Sequence, residues 1–361
     1  MNPLRHVAAK LNAGQPVTVG YFGGTHTDGG GASDPKKTSW RALTTAWLQV
    51  MWPAARIREV NAALSGTNSL YGMFRIEQDL LMAHPDIVFL DFGVVDQGVE
   101  SQRSSRCLES IIRQILKNDP NTDIVILNAT NKLAATAYDR KESPRITIAH
   151  EILASYYRLP SIAIGRHFWQ TISDGVSTWE SLTKDGHQLL DAGHDQYFQQ
   201  LKITLLPLLV APNNADSHTP HIVPPPINGD VITHGHIVDA WTIAPDGWVR
   251  DENALGSRYP RQLIATTPGS GLSFPFTGSA IGFLWMIASD GGDIRWHIDD
   301  REPRRLSSWD VNPPRNKRTS AVILSDNLDN GEHQLHLRVL SDKNEKSEGT
   351  TIRIGAFLVG S

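Results

Sequence analysis

The sequence has little of what several protein classes require. Its single cysteine, Cys107, excludes an internal disulfide framework, and its place in a helical pattern indicates a packed thiol. No run of 18 apolar residues occurs, so no membrane-spanning helix is predicted and no membrane partner is expected. The net charge is only −4 and no basic block is present, which argues against nucleic acid as a partner.

The N-terminal stretch also lacks the apolar run of a signal peptide, so we expect a cytoplasmic protein. A secreted protein whose signal had been removed would look the same. Internal repeats are absent, and apolar residues make up 40% of the chain and charged residues 20%, as in ordinary globular proteins. At 361 residues the chain is long for one hydrophobic core, so two domains are expected.

Residues 1–210 alternate between short apolar runs and helical patterns. The runs are rich in β-branched residues and end at Gly, Pro or Asp, which is typical of strands buried on both faces. This order predicts an α/β domain of three layers, flavodoxin-like, with one parallel five-stranded sheet. The strand candidates are 17–22, 57–64, 86–92, 123–130 and 161–165.

The composition changes after this domain. Residues 211–230 contain five prolines and few large apolar residues, which indicates a semi-rigid linker. Beyond it, residues 231–361 form short alternating runs separated by turns such as "SDGGD" and "LDNGEH". This pattern predicts an antiparallel, jelly-roll-like β-sandwich domain.

A glycine-rich turn follows the first strand candidate directly. It reads "GGTHTDGGG", from Gly23 to Gly31, and five of its nine residues are glycine. Glycine lets the backbone approach a ligand closely. Because ligands bind at the carboxyl ends of strands in open α/β sheets, we expect a functional site here.

Four sequence blocks together carry a family resemblance. The turn reads Gly-Gly-Thr-His-Thr over residues 23–27, the second strand candidate precedes Gly66, and the third precedes Val94-Val95-Asp96. The last block, "KDGHQLLDAGH", contains Asp185 and ends on Gly193-His194. In this order the first domain resembles the SGNH (GDSL-type) hydrolases, and more closely the carbohydrate-directed members that carry a β-sandwich after the catalytic domain.

That resemblance implies acyl transfer by a serine, which a histidine activates and an aspartate orients. Backbone N–H groups at the serine and at a glycine, with an asparagine amide, would hold the oxyanion. Here Thr25, Val95 and Gln188 stand at the serine, asparagine and histidine positions, whereas Gly66 and Asp185 are retained. Valine donates no hydrogen bond and glutamine accepts no proton near neutral pH, so ordinary esterase chemistry is disfavoured.

A rebuilt site that cleaves a glycosidic bond is our first hypothesis. Glycoside hydrolysis needs two carboxyl groups, one of them a proton donor. Asp185 is the first candidate, because burial near the strand ends would raise its pKa toward that of a general acid. Asp28, Asp91 or Asp96 would supply the second carboxylate.

Two other hypotheses remain open. A carbohydrate esterase would use Thr25 as nucleophile and His187 as base. A glycan-binding protein without catalysis would keep the cleft alone. In each case the partner is an oligo- or polysaccharide, whereas the sugar, the linkage and the oligomeric state cannot be read from the sequence. The candidate substrate-binding residues are Gly24, His26, Gly66, Asp91, Val95, Gln188, Trp169 and Trp179.

The two tryptophans of that set lie in a loop-like stretch before the last block. Either one stacks on a sugar or packs in the core. No cofactor is predicted. His26, His187, Asp96 and Asp185 match no strong metal-binding signature, so no metal site is predicted either. The remaining histidines, His221 among them, are interpreted as solvated surface residues.

Overall fold

A computed structural model describes residues 2–211, 219–243, 246–252, 261–309 and 317–361. The chain divides into two compact units, Met1–Thr233 and His234–Ser361. Of the described helices, none combines the length and apolar character needed to cross a membrane.

The first unit is built on one parallel sheet of five strands, in the order β2-β1-β3-β4-β5. The predicted fold class is confirmed, and each of the five strand candidates contains a strand, although the last candidate, 161–165, runs into a helix that begins at Ile164. The central strands β3 and β4 are buried along their whole length, as their continuous apolar runs require, and β2 lies half-exposed at the edge. The strands are β1 Val17–Gly23, β2 Ile57–Asn61, β3 Ile87–Asp91, β4 Asp123–Leu127 and β5 Ser161–Ile162.

Helices cover both faces of this sheet. Asn68 caps α4 by accepting a hydrogen bond from the Tyr71 N–H, and Trp40 of α3 stacks on Tyr197 of α10 at 4.9 Å between ring centroids. The helices are α1 Arg5–Asn12, α2 Thr25–Asp28, α3 Trp40–Met51, α4 Ser69–Asp79, α5 Ser101–Asn118, α6 Lys132–Asp139, α7 Arg145–Tyr156, α8 Ile164–Ser173, α9 Trp179–Leu182 and α10 Asp191–Leu209, with a 3-10 turn at Leu81–Ala83.

The described part of the proline-rich segment, residues 219–233, packs along the first unit. Its main anchor is Glu109 of α5, a fully buried carboxylate. Glu109 accepts hydrogen bonds from the backbone N–H groups of Ile227 (2.9 Å) and Asn228 (3.0 Å) and from the Tyr157 hydroxyl (2.6 Å). Arg113 also donates to the Pro224 carbonyl at 2.6 Å. Residues 212–218 of the predicted linker lie outside the described residues.

His221 of this segment corrects one expectation, because its side chain is only 8% exposed. Its Nε2 lies 2.8 Å from Asp123 Oδ1, and His6 Nδ1 lies 3.2 Å from the same oxygen. Asp123 begins β4 and also accepts the Val7 N–H at 2.8 Å. We call His6, Asp123 and His221 the clasp. It lies at the amino end of the sheet, opposite the glycine turn.

The clasp offers three ligand atoms within 4.8 Å, a spacing compatible with a metal ion. Arg5 Nη1, however, lies 3.4 Å from His221 Nδ1. Because a guanidinium only donates, His221 Nδ1 accepts and its Nε2 carries the hydrogen that is donated to Asp123. A metal at Nε2 would move that hydrogen to Nδ1. The Nδ1–H would then face the N–H group of Arg5, and two donors would be in contact. We therefore interpret the clasp as a hydrogen-bonded network.

The second unit contains two antiparallel sheets, as the alternating runs predict. One has the order β13-β10-β15-β8-β7 with β6 paired to β15, and the other has the order β12-β11-β14-β9. Apolar side chains of both sheets form one core. The strands are β6 Gly235–Asp239, β7 Val249–Asp251, β8 Gln262–Ala265, β9 Gly271–Gly278, β10 Ala280–Ile287, β11 Asp293–Ile298, β12 Arg304–Ser307, β13 Arg318–Ser325, β14 Gly331–Val339 and β15 Ile352–Gly360, with a 3-10 turn at Ala240–Thr242.

Candidate functional site

Side chains pack closely against the glycine turn, because at two of its glycines they occupy the space that a Cβ would need. A Cβ on Gly24 would lie 2.4 Å from Val95 Cγ1, and one on Gly30 would lie 2.4 Å from Thr25 Cγ2. The extra methyl group of Thr25, relative to serine, therefore packs over Gly30. The carboxyl end of β1 thus holds Thr25 and Val95 in one place.

The hydroxyl of Thr25 lies beside a backbone donor. The Gly66 N–H donates to Thr25 Oγ1 at 3.2 Å. Gly66 has a φ of +76°, in the left-handed region that favours glycine, and nothing lies within 4 Å of where its Cβ would be. Val95 offers only methyl groups beside this position, so the asparagine donor implied by the resemblance has no replacement there.

The turn at residues 185–188 completes the site, and its chemistry differs from the prediction. Asp185 Oδ1 accepts the backbone N–H groups of Gln188 (2.7 Å) and His187 (3.0 Å). These bonds, with the Gln188 bond first, hold the pKa of the exposed Asp185 carboxyl below its usual range. The expectation that burial raises the pKa of Asp185 is wrong, because the side chain faces solvent and accepts two N–H groups.

His26 connects this turn to the glycine turn. Its Nε2 lies 2.5 Å from the His187 carbonyl oxygen, and because a carbonyl only accepts, Nε2 carries the hydrogen. Burial lowers the pKa of His26 to about 3, so the ring is neutral at physiological pH. The rings of His26 and His187 lie 5.8 Å apart. Neutral His26 thus ties the backbone of the 185–188 turn to the glycine turn. The described contacts include no hydrogen bond between the Thr25 hydroxyl and the His187 ring.

The other carboxylates have separate partners. Asp28 is half-buried and accepts the Ser65 hydroxyl at 2.7 Å. Asp96 is fully buried, where Ser69 donates through its N–H (2.9 Å) and its hydroxyl (2.6 Å) and Ser104 donates a third bond. Asp91 is 4% exposed and accepts the Thr27 hydroxyl at 2.8 Å. The contacts of Asp91 and Asp96 hold the loops beneath the site.

The comparisons with known proteins concern the family of the first unit and the fold of the chain. The model of the GDSL-like lipase/acylhydrolase family matches residues 21–195, which span the glycine turn and the 185–188 turn. The first unit belongs to the GDSL-like family. This confirms the resemblance drawn from the motifs. None of the curated proteins matches the chain at a significant level.

Solved structures extend the likeness to both units. A two-domain esterase (CEX) active on acetylated mannans matches with a TM-score of 0.83 and 18% identity, over 100% of this chain and 95% of that one. The same esterase co-crystallised with mannopentaose matches with a TM-score of 0.81 and 18% identity, over 99% and 94%. At this identity the likeness shows the fold, a GDSL-like domain followed by a β-sandwich.

Two further residues of this GDSL-like unit correct the sequence interpretation. Trp169 and Trp179 do not lie in a loop: Trp169 belongs to α8 and Trp179 begins α9. Both side chains are half-buried, and Trp169 Nε1 donates to Asp139 at 2.7 Å. Contact with a sugar stays a prediction for both. Sequence reasoning missed His26 as the residue that holds the 185–188 turn, since its partner is a backbone carbonyl 161 positions away.

Asp91 makes the stability of the GDSL-like unit depend on pH. Burial raises the pKa of its carboxyl from 3.8 to about 6, against the opposing hydrogen bonds from Thr27 and Tyr197. The native state therefore binds more protons than the unfolded state between about pH 4 and 6, and stability falls as the pH rises through this window. A pKa raised by about two units corresponds to a loss of about 3 kcal/mol in the free energy of unfolding above this window.

We expect Asp91→Asn to remove this loss, because the amide oxygen accepts the same hydrogen bonds without a charge. Denaturant unfolding at pH 4 and pH 8 measures the effect as the difference between variant and wild type. The free energy of unfolding of the variant minus that of wild type should be about 3 kcal/mol more favourable to the variant at pH 8 than at pH 4. Parallel pH profiles for the two proteins would show that Asp91 titrates normally.

Proposed function

We propose that this protein is a carbohydrate esterase that removes acyl groups from a polysaccharide, with Thr25 as nucleophile and His187 as base. The proposal rests mainly on the contact between Thr25 Oγ1 and the Gly66 N–H, which places a hydroxyl nucleophile beside an oxyanion donor. Support comes from the GDSL-like first unit and from a fold shared over both units with an esterase active on acetylated mannans.

In the proposed reaction, Thr25 Oγ1 attacks the carbonyl carbon of the ester as His187 takes the hydroxyl proton. The negative charge develops on the carbonyl oxygen, which accepts the Gly66 N–H. The sugar hydroxyl leaves with the proton from His187, and water then hydrolyses the acyl-threonine. Because Val95 provides no donor, we expect turnover about 10²–10³-fold below that of a site with the missing amide.

Glycosidic cleavage, our first hypothesis from the sequence, has less support. Its proton donor needs a raised pKa, whereas backbone N–H groups lower the pKa of Asp185. Two of its possible partners, Asp91 and Asp96, are buried beneath the site. A solved structure that matches both units is that of an esterase.

Binding without catalysis is the second candidate. It is favoured by the missing hydrogen bond between Thr25 and His187 and by the methyl groups of Val95 where a donor is needed. In this case the cleft would bind an acylated glycan without removing its acyl group. Measuring acetate release and binding on the same substrate separates the two candidates.

Thr25→Ala should reduce acetate release from acetylated mannan about tenfold or more, because the acyl-enzyme cannot form. Thr25→Ser, which keeps the hydroxyl, should retain activity. Thr136→Ala, at an exposed threonine of α6, is the matched control and should match wild type. Release that is unchanged in Thr25→Ala would refute the nucleophile. Binding of acetylated mannan with no release by wild type would favour the non-catalytic candidate.

A further inference from the structure

One face of the four-stranded sheet of the second unit carries a group of arginine and histidine side chains. Along β11 and β14 the residues alternate, and the inward ones, such as Trp296 and Leu337, belong to the core. The outward residues at one end of the sheet are Arg295, His297, His336 and Arg338. We call these four residues the basic face.

The pairing of the strands places like charges together. Arg295 lies directly opposite Arg338, and His297 lies opposite His336 with the two rings stacked at 4.6 Å. Both arginines are exposed, and within the described parts of the chain neither forms an ion pair. Like charges in direct cross-strand pairs destabilise a sheet, so an anion between the two guanidinium groups would relieve this repulsion.

The basic face lies in a concave surface rather than on a flat one. Its four residues line a cavity of about 780 Å³ together with Ser273 and Pro303. Asp246 is the acidic side chain among the described residues that line this cavity. The two guanidinium groups therefore outnumber the carboxylate, even with both histidines neutral.

The two imidazoles have defined orientations. His297 Nδ1 lies 2.6 Å from the Asp299 carbonyl oxygen, so Nδ1 carries the hydrogen and Nε2 is left for another partner. His336 Nδ1 lies 2.9 Å from the Ser273 hydroxyl. Polar groups held in this way are typical of a binding surface that exists before its ligand arrives.

We propose that the basic face binds the carboxylate groups of an acidic polysaccharide. The planar fork of arginine matches a carboxylate, and two opposed arginines match one anionic group between them. A neutral sugar would instead stack on an exposed aromatic ring, whereas Trp296, the tryptophan of β11, faces the core and is only 9% exposed. The inference that the charged ligand is a glycan rests on the proposed function.

Nucleic acid fits these observations less well. Its binding needs a broad basic surface, whereas this chain carries a net charge of −4 and the basic face has only two arginines. The binding experiment should therefore include single-stranded DNA beside polygalacturonate, an acidic polysaccharide, and unsubstituted mannan, a neutral one.

Isothermal titration at low and at physiological salt tests the proposal with the full chain. Wild type should bind polygalacturonate more weakly as salt is added, whereas added salt should not change its affinity for unsubstituted mannan, which carries no charge. Arg295→Gln/Arg338→Gln should raise the Kd for polygalacturonate about tenfold or more. Arg58→Gln, at an exposed arginine of β2 in the first unit, should leave it unchanged.

The melting temperature and the esterase activity of the double variant show whether a loss of binding comes from misfolding. The double variant should melt at the wild-type temperature or higher, because a like-charge pair has been removed. Its release of acetate from p-nitrophenyl acetate should be unchanged, and Thr25→Ala should still bind polygalacturonate. Equal affinity of wild type and double variant, absent binding of polygalacturonate, or preferential binding of single-stranded DNA would each overturn the proposal.

Discussion

Val95→Asn combined with Gln188→His is expected to release acetate from acetylated mannan about 10³-fold faster than wild type. The asparagine amide would add a donor for the oxyanion, a contribution of about 10²–10³. The histidine would follow Asp185 at the spacing implied by the family and add a general base, typically worth about 10²–10⁴. The two effects are not simply multiplied, because residues of one catalytic set act together.

The structure has room for both changes. Val95 lies against Gly24, which has no side chain, and asparagine is close to valine in size. The backbone at position 188 is already held by Asp185. The control is the same pair of changes in Thr25→Ala, which should return the rate to background. No gain from either single variant or from the pair would show that the cleft does not position an ester for attack.

Asp123→Ala should lower the free energy of unfolding by about 3–5 kcal/mol, as expected when one partner of a buried charged network is removed. The change leaves the ring of His221 and the Val7 N–H without their acceptor in a region closed to solvent. Urea unfolding followed by circular dichroism measures the loss. Asp195→Ala, at an exposed carboxylate of α10, should change stability by less than about 0.5 kcal/mol.

A metal titration tests the interpretation of the clasp independently. If hydrogen bonds alone hold it, a chelator should not lower the melting temperature of wild type, and Zn²⁺ should not raise it. A rise with Zn²⁺ that is lost in His221→Ala would instead identify the clasp as a metal site. Wild-type stability in Asp123→Ala would show that the segment after residue 218 is held by other contacts.

The fold was predictable because its determinants are local patterns. Strands buried on both faces appear as continuous apolar runs, and the glycine turn after β1 marks the carboxyl edge of the sheet. The family blocks then place Thr25, Gly66 and the 185–188 turn in one site, where the structure also has them. The pKa of Asp185 was not predictable, because it depends on which backbone N–H groups point at the carboxylate, a property of turn conformation that residue types do not specify.

The proline-rich segment shows the same limit on a larger scale. Its composition is typical of a connection between domains, and the burial of His221 and the packing of Ile227 depend on partners far away in sequence. Glu109 lies 118 positions before Ile227, and no periodicity links the two. Composition indicates which segments lack a core of their own, whereas packing against an existing core follows only from the assembled structure.

That buried glutamate also sets an order of events during synthesis. Glu109 emerges from the ribosome well before Ile227 and Asn228, whose N–H groups satisfy its carboxylate in the folded protein. Until then its charge must remain solvated, because burial without partners is strongly unfavourable. The first unit can therefore reach its final packing only after the chain has been translated through this segment, when much of the second unit is still unmade.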